Sequence, residues 1–127
     1  TSNICTNQGL MALAAAIYLA LMGKNGLRQV ARLSLDNAHY LAEKIDTLPG
    51  YSLTYPDRPF FNEFMIHTPV SAEKIVETGL ENNIFAGLDM GRFSREWDHR
   101  LLIAVTEKRN QQEMDDFINF LSKFRTV

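Results

Sequence analysis

Histidine and carboxylate side chains are the first candidates for chemistry in this sequence, because together they supply many of the metal ligands in proteins. Asp36, His39 and Glu43 are spaced by three and four residues, which places them on one face of a helix. A zinc site needs three or four converging ligands, and this face is otherwise plain and polar. The other histidines, His67 and His99, complete no HxH or HxxxH spacing. We therefore predict a solvated surface here and no metal site.

Covalent catalysis needs an activated nucleophile, for which the sequence offers one cysteine and five lysines. Cys5 has no histidine close to it in the sequence to act as a base. A lysine that forms a Schiff base must be desolvated beside its cofactor, whereas the lysines here fall on predicted helices or near turns: Lys24, Lys44, Lys74, Lys108 and Lys123. The sequence also has no GxSxG elbow and no phosphate-loop spacing. We predict no catalytic residue and no covalent cofactor anchor in this chain.

Two long helices are predicted before the first strand. Apolar residues recur at helical spacing from Leu10 to Leu21, and the opposite side of that segment is apolar as well. A helix that is apolar all round is typically buried between layers. We therefore predict an interdomain helix over about residues 8–22 that ends at Gly23. A second, amphipathic helix follows and ends near Thr47.

The rest of the sequence mixes short strands with two more helices. Strands or short apolar segments are predicted at Tyr51–Tyr55, Phe60–His67, Ile84–Leu88 and Leu101–Val105. Five consecutive apolar residues in the last of these predict a strand buried on both faces. Ser71 is expected to cap one helix, and Asn110 with Glu113 forms an approximate capping box for the other. This order predicts an α+β fold, a small and largely antiparallel sheet with helices on one face.

Length, composition and charge narrow the function classes. The 127 residues predict one domain, and 46% hydrophobic with 22% charged residues excludes a disordered chain. Thirteen basic against fifteen acidic residues give a net charge of −2, which argues against nucleic acid as a partner. The apolar run Leu10–Met22 is too short to cross a bilayer, so we expect no membrane. A single cysteine fits a reducing, cytoplasmic location.

The most distinctive string is the first eight residues, TSNICTNQ, which precede the Ala/Leu-rich helix. The string resembles the TSNICTxQ segment of the glycine cleavage system P-protein family, and most closely that of its alpha-type subunit, subunit 1 of the two-subunit form. Three further segments are similar to the same family: Phe61–Phe64, Gly87–Phe93 and Ala104–Arg109. The resemblance covers essentially all 127 residues.

The resemblance implies a fold-type-I pyridoxal-phosphate architecture. Residues 1–127 would be its small C-terminal domain with the interdomain helix, and the large domain would be absent from this chain. Since the chain begins at Thr1 rather than Met, we expect it to be a piece of a longer protein. The family's enzyme decarboxylates glycine through pyridoxal phosphate and passes the aminomethyl group to the lipoyl arm of H-protein. The isolated chain is expected to be inactive.

The resemblance also implies partners and cofactor contacts. The cofactor lysine would belong to the beta-type subunit 2 of a heterotetramer, and lipoylated H-protein would be the second partner. In many fold-type-I dimers a loop before the interdomain helix contacts the cofactor phosphate across the interface. Thr1, Ser2 and Asn3 occupy a comparable place and offer hydroxyl and amide donors. They are therefore predicted cofactor-binding residues in the full assembly, with a structural interdomain turn as the alternative.

Two other interpretations stay open. The chain could be the small domain of another fold-type-I enzyme, an aminotransferase or amino-acid decarboxylase, although the TSNICTNQ string argues against this. It could instead be a stand-alone binding or interaction module of ferredoxin-like shape. In every case the first helix presents two apolar faces and only one can pack on its own sheet, so we expect the chain to self-associate.

Overall fold

The computed structural model describes residues 7–124. The chain divides into two compact units, Thr1–Arg32 and Leu33–Val127. The first unit is helical over its described residues, and the second contains a four-stranded sheet and further helices. The α+β class predicted from the sequence is therefore confirmed for the second unit.

The first helix, α1, spans Asn7–Asp46 and is interrupted at Gly23. There the backbone leaves helical geometry, with a φ of 58° that glycine adopts without steric cost, so the predicted break at Gly23 is confirmed. Large apolar side chains between residues 10 and 21 are exposed, from 47% at Tyr18 to 82% at Leu21. A helix that is apolar all round is typically buried against other layers, so these exposed side chains are available to a partner.

Helix α1 is also the one helix among residues 7–124 with the length and apolar composition to span a membrane. An 18-residue window in it has a mean hydropathy of 1.5, so the apolar region is longer than the run predicted from the sequence. A core helix of a soluble protein or a signal sequence can have the same length and composition. That this chain does not interact with a membrane stays a prediction.

The sheet is antiparallel throughout. Its strands follow the spatial order β1-β2-β4-β3, with bounds Ser52–Leu53, Glu63–His67, Arg100–Ala104 and Leu88–Asp89 respectively. The register places Phe64 opposite Ile103 and Ile66 opposite Leu101. All four side chains are 5% exposed or less, and opposite residues share a face. This face of the sheet therefore forms the core.

Three helical segments cover that core face. Helix α2 spans Ala72–Glu81 and helix α3 spans Gln111–Leu121. They contribute buried side chains together with the last part of α1 (Ala38, Leu41, Ala42, Ile45, Ala72, Ile75, Met114, Phe120 and Leu121). The predicted caps are confirmed, since the side chains of Ser71 and Asn110 accept backbone N–H bonds at the helix starts. The predicted arrangement, with helices on one face of the sheet, is confirmed as well.

The prediction that the Leu101–Val105 strand is buried on both faces is wrong. In β4 the side chains of Leu101 and Ile103 are buried, whereas Leu102 is half-buried and Ala104 is exposed. An antiparallel strand can leave one face uncovered when its helices pack on the other. The strands β1 and β2 are also shorter than predicted, and the Ile84–Leu88 segment pairs only from Leu88 onward.

Candidate functional site

Three of the segments that resemble the P-protein family converge around strand β4. Glu63 of the first segment is the cross-strand partner of Ala104, and Leu88 of the second is the partner of Leu102. The third segment, Ala104–Arg109, continues the strand itself. Segments that are distant in sequence thus meet near the end of β4, where β3 no longer pairs with it and leaves an open edge. Their meeting point is the candidate functional site.

A cavity of about 720 Å³ lies at this edge. It is lined mainly by apolar side chains of the β4 edge, of the segment before β3 and of α3, with acidic groups among them (Glu63, Phe85, Leu88, Leu102, Ala104, Met114, Asp116 and Phe117). Pairing of β3 with β4 extends only to Leu88 and Leu102. The neighbouring chain therefore leaves β4 beyond Leu102, and the cavity occupies the space between them.

Gly87 shapes the cavity wall where the chain approaches β4. Its φ is 139°, in a region that side chains rarely adopt. A Cβ atom at this position would lie 2.5 Å from the carbonyl oxygen of Leu102 and 3.3 Å from Cγ of Leu101. The close approach of the two backbones thus requires glycine. This gives a physical role to the first residue of the Gly87–Phe93 segment.

The Thr106–Arg109 loop is held to α1 by two polar side chains. Asn37 Nδ2 donates to the carbonyl oxygens of Thr106 at 3.2 Å and of Arg109 at 2.9 Å. Ser34 Oγ accepts the backbone N–H of Glu107 at 3.1 Å and donates to its carboxylate at 3.3 Å. Sequence reasoning placed no role on these two residues. On a polar helix face, the sequence does not distinguish the residues that bind a distant loop from those that only face solvent.

The cavity lining limits the chemistry that this site can perform. It contains no cysteine, histidine, serine or lysine, the side chains that most often act as nucleophile or base. Arg109 forms an ion pair with Glu113 at 3.3 Å on the exposed rim, so its charge is compensated locally. The arrangement is suited to binding an apolar group.

The predicted cofactor-binding residues Thr1, Ser2 and Asn3 lie outside the described residues, as does Cys5. All five lysines lie within them, and every one is exposed. A Schiff-base lysine must be desolvated. In this chain by itself, none of the five lysines is desolvated.

The histidines lie apart from one another. The His39 ring stacks on Phe60 with ring centroids 4.2 Å apart and has a ring nitrogen 3.2 Å from that residue's carbonyl oxygen. His99 Nδ1 lies 3.0 Å from the carbonyl oxygen of Thr68, and His67 is on β2. Among residues 7–124, no group of three His, Cys, Asp or Glu side chains could hold a metal ion.

Two tyrosines link distant elements of the second unit. Tyr51 is 6% exposed, and its hydroxyl donates to the carbonyl oxygen of Leu121 at 2.9 Å. Burial raises the pKa of Tyr51 well above its usual value. The Tyr40 hydroxyl donates to Asp115 Oδ1 at 2.7 Å, and this hydrogen bond raises the pKa of Tyr40. Both hydroxyls thus connect parts of the chain that are 70 or more residues apart.

The sequence of this chain is similar to that of one protein family and of several of its members. The family model of the glycine cleavage system P-protein matches residues 1–121. The probable glycine dehydrogenase (decarboxylating) subunit 1 of Prosthecochloris aestuarii is 57% identical over 121 residues, covering 95% of this chain and 26% of the relative. The same subunit of Chlorobium luteolum is 50% identical over 123 residues, covering 97% of this chain and 27% of the relative.

Two solved structures resemble the chain. The crystal structure of glycine decarboxylase (P-protein) of the glycine cleavage system, in inhibitor-bound form, matches with a TM-score of 0.83 and 33% identity, covering 95% of this chain and 27% of that one. A NifS-like protein matches with a TM-score of 0.62 and 16% identity, covering 76% of this chain and 28% of that one. At this identity the second match concerns the fold alone.

The structural matches define the class of protein, because the fold is that of the small α+β domain of fold-type-I pyridoxal-phosphate enzymes. With the family model covering residues 1–121, the chain belongs to the glycine cleavage system P-protein family. It spans about a quarter of the length of the curated relatives that it matches.

Proposed function

We propose that this chain is the C-terminal part of subunit 1 of a P-protein that decarboxylates glycine with pyridoxal phosphate and transfers the aminomethyl group to the lipoyl arm of H-protein. The observation that carries the proposal is the 57% identity over 121 residues to a probable glycine dehydrogenase (decarboxylating) subunit 1. The match to a glycine decarboxylase structure at a TM-score of 0.83 supports it independently.

The activity can be tested on the assembled enzyme. The complete subunit that carries this chain would be combined with subunit 2 and lipoylated H-protein, and exchange of labelled bicarbonate into the carboxyl group of glycine would be measured. We expect exchange that requires all three proteins, with lipoyl-free H-protein as the control. Transamination by the assembly without any exchange would instead favour another fold-type-I enzyme.

In this proposal the cofactor lysine belongs to subunit 2. The exposure of all five lysines of this chain supports that assignment, since a lysine that forms a Schiff base is desolvated beside its cofactor. Borohydride reduction of the chain with pyridoxal phosphate should leave no stoichiometric pyridoxyl-lysine. A single fully labelled lysine would contradict the assignment.

The partners and setting follow from the same proposal: a heterotetramer of the two subunits, lipoylated H-protein as the acceptor, and a cytoplasmic location. The cavity at the β4 edge is a candidate contact surface, because it is apolar and carries carboxylates at its rim. Co-purification of tagged subunit 1 should recover subunit 2 in equal amounts. A tagged subunit 1 that stays free of it would contradict the heterotetramer.

We also propose that Thr1, Ser2 and Asn3 contact the cofactor phosphate in the assembly. Alanine at Ser2 or Asn3 would then remove a hydrogen bond to a charged group, which lowers cofactor affinity about tenfold to a hundredfold. A structural turn would lower stability instead and leave affinity nearly unchanged. Cofactor dissociation and melting temperature, each with and without excess cofactor, separate the two outcomes.

Self-association of the isolated chain is the remaining proposal, and the exposed apolar side chains between residues 10 and 21 of α1 support it. Exposed apolar patches of this kind usually find a partner. Sedimentation should show concentration-dependent association that a double substitution, Leu13→Glu with Ile17→Glu, abolishes. A monomer at high concentration with α1 fully helical would refute this.

A further inference from the structure

The two edges of the sheet in the second unit end differently. At the β1 edge, the backbone N–H of Leu53 donates to Asp46 Oδ1 at 2.8 Å, so a side chain occupies the place of a further strand. At the other edge, β3 pairs with β4 only through Leu88 and Asp89. The end of β4 therefore has no paired strand on that side among residues 7–124.

Ala104 presents its backbone groups to this open edge. The backbone N–H of Val105 donates to the carbonyl oxygen of Asn62, next to β2. In an antiparallel pair, residues that bond to one neighbour alternate with residues whose N–H and C=O point the other way. Ala104 therefore points away from β2, and neither its N–H nor its carbonyl oxygen forms a hydrogen bond on that open side within residues 7–124.

The segment that would close this edge is held on α2 instead. Continuing the register of β3 with β4 would place Ala86 opposite Ala104. The backbone N–H of Ile84 donates to the carbonyl oxygen of Gly79 at 2.8 Å. A Cβ atom at Gly79 would lie 2.7 Å from the Ile84 carbonyl oxygen and 3.4 Å from the Ala86 Cβ, so this segment packs tightly on α2. The gap beside Ala104 is thus built into the fold.

The gap coincides with the apolar cavity of about 720 Å³. Met114 and Phe117 line it from α3, and Phe85, between α2 and β3, is 79% exposed. Exposed apolar surface of this kind favours a partner that covers it. A free strand edge beside an apolar groove suits strand addition, in which main-chain hydrogen bonds hold an extended peptide and alternate side chains enter the groove.

The charged groups of the cavity select the partner. Arg109 is paired with Glu113 at 3.3 Å. The exposed carboxylates of Glu63 and Asp116 have no cationic partner among residues 7–124. Pairing this edge with the same edge of a second copy would bring like charges together, whereas a basic segment would neutralise them.

The register predicts where the basic side chain lies. Glu63 is the cross-strand partner of Ala104 and shares its face. A residue added opposite Ala104 would share that face as well, two strand spacings or about 10 Å from Glu63. The small side chain of Ala104 leaves the path between them open. The neighbouring residues of the added strand would point to the other face, toward Met114 and Phe117.

We propose that the open edge of β4 binds an extended, basic segment of a partner protein. The segment pairs antiparallel with Ala104, directs a lysine or arginine side chain to Glu63 and lays its apolar side chains on Met114 and Phe117. The proposal refines the contact surface of the proposed function and rests on that function for the presence of a partner. Three observations carry it: the unpaired backbone groups of Ala104, the fixed gap beside them and the two uncompensated carboxylates.

The binding can be measured with the labelled peptide acetyl-KVKVK-amide, titrated with the full 127-residue chain and followed by fluorescence anisotropy. We expect this peptide to bind and acetyl-EVEVE-amide not to bind. Methylating the backbone nitrogens of the lysines should weaken binding at least tenfold, because in the proposed pairing these N–H groups face β4. Methylating those of the valines is the matched control and should leave binding unchanged, since these N–H groups face away.

Matched variants assign the binding to the edge. Ala104→Pro removes the outward N–H, at a place where an edge strand tolerates proline, and should weaken binding at least tenfold. Ala104→Ser keeps that N–H and should bind like the unsubstituted chain. Glu63→Gln should weaken binding about twofold to fivefold, whereas Glu77→Gln removes an exposed carboxylate outside the cavity and should change nothing. Circular dichroism would verify that each variant is folded.

Three results would overturn strand addition by a partner. The first is equal binding of the lysine-methylated and valine-methylated peptides, and the second is unchanged affinity in a folded Ala104→Pro variant. The third is binding to the 127-residue chain but not to the complete subunit, which would show that another segment of the same polypeptide covers the edge.

Two further comparisons separate this inference from its alternatives. Self-association that Ala104→Pro abolishes would make a second copy the occupant of the edge and overturn the proposal. Bicarbonate exchange by the assembly without peptide binding by subunit 1 would refute this inference alone. Peptide binding without exchange would support the inference and contradict the proposed function.

Discussion

Gly87→Ala is the substitution for which the structure predicts the largest effect on stability. The new Cβ would lie 2.5 Å from the carbonyl oxygen of Leu102, about 1 Å closer than ordinary van der Waals contact allows. The obstructing atom belongs to the backbone of β4 at its pairing with Leu88, so a side-chain rotation cannot relieve the contact.

Two costs add in the Gly87→Ala variant. Alanine at a φ of 139° is strained by about 1–3 kcal/mol. Moving the chain away from β4 also weakens the hydrogen bonds between Leu88 and Leu102, at about 1 kcal/mol each. The free energy of unfolding should therefore fall by about 2–4 kcal/mol. For a chain of this size that corresponds to a melting temperature lower by about 8–15 °C.

Thermal and urea unfolding followed by circular dichroism would test this. The urea midpoint should fall by about 1–2 M with an unchanged slope. Gly9→Ala is the matched control, because its added Cβ meets no atom within 4 Å and alanine favours a helix. A melting temperature within 2 °C of the unsubstituted chain for Gly87→Ala would refute the close-approach argument.

Three further predictions concern tyrosines and helix caps. Tyr51→Phe should lower the free energy of unfolding by about 1 kcal/mol because the Leu121 carbonyl loses one of its two donors and keeps only the backbone N–H of Phe124. The exposed Tyr55→Phe should change it by less than about 0.5 kcal/mol, and equal melting temperatures would contradict this. Burial raises the folded-state pKa of Tyr51, so its contribution is complete below the unfolded pKa of about 10 and is lost as pH rises above it. Urea unfolding between pH 9 and 11.5 should thus show a steeper loss in the unsubstituted chain than in Tyr51→Phe, and parallel curves would exclude the linkage. Asn110→Ala should lower the free energy of unfolding by about 1 kcal/mol, and Ser71→Ala should lower it by less. The Asn110 side chain accepts its cap bond at 2.9 Å and Glu113 returns a second bond, whereas the Ser71 bond is 3.4 Å long. The reverse order in urea midpoints would contradict the cap assignment.

Local features of the fold could be predicted from the sequence because their causes are local. The break at Gly23, the caps at Ser71 and Asn110 and the apolar stripe of α3 each depend on residues within one or two turns. The family could be predicted for a different reason. The string TSNICTNQ is specific in itself, and the match over residues 1–121 confirms what it implied.

The site could not be predicted in the same way, because its parts meet only through strand pairing. Five apolar residues in a row do not reveal which face of β4 the helices cover; only packing leaves Leu102 half-buried while Leu101 is fully buried. The register that sets Glu63 beside Ala104 depends on pairing between segments more than 30 residues apart. The need for glycine at position 87 arises from a carbonyl group of another strand. The sequence by itself determined the local elements and the family, whereas tertiary structure decided which side chains face each other, since cross-strand neighbours are fixed by register and not by sequence distance.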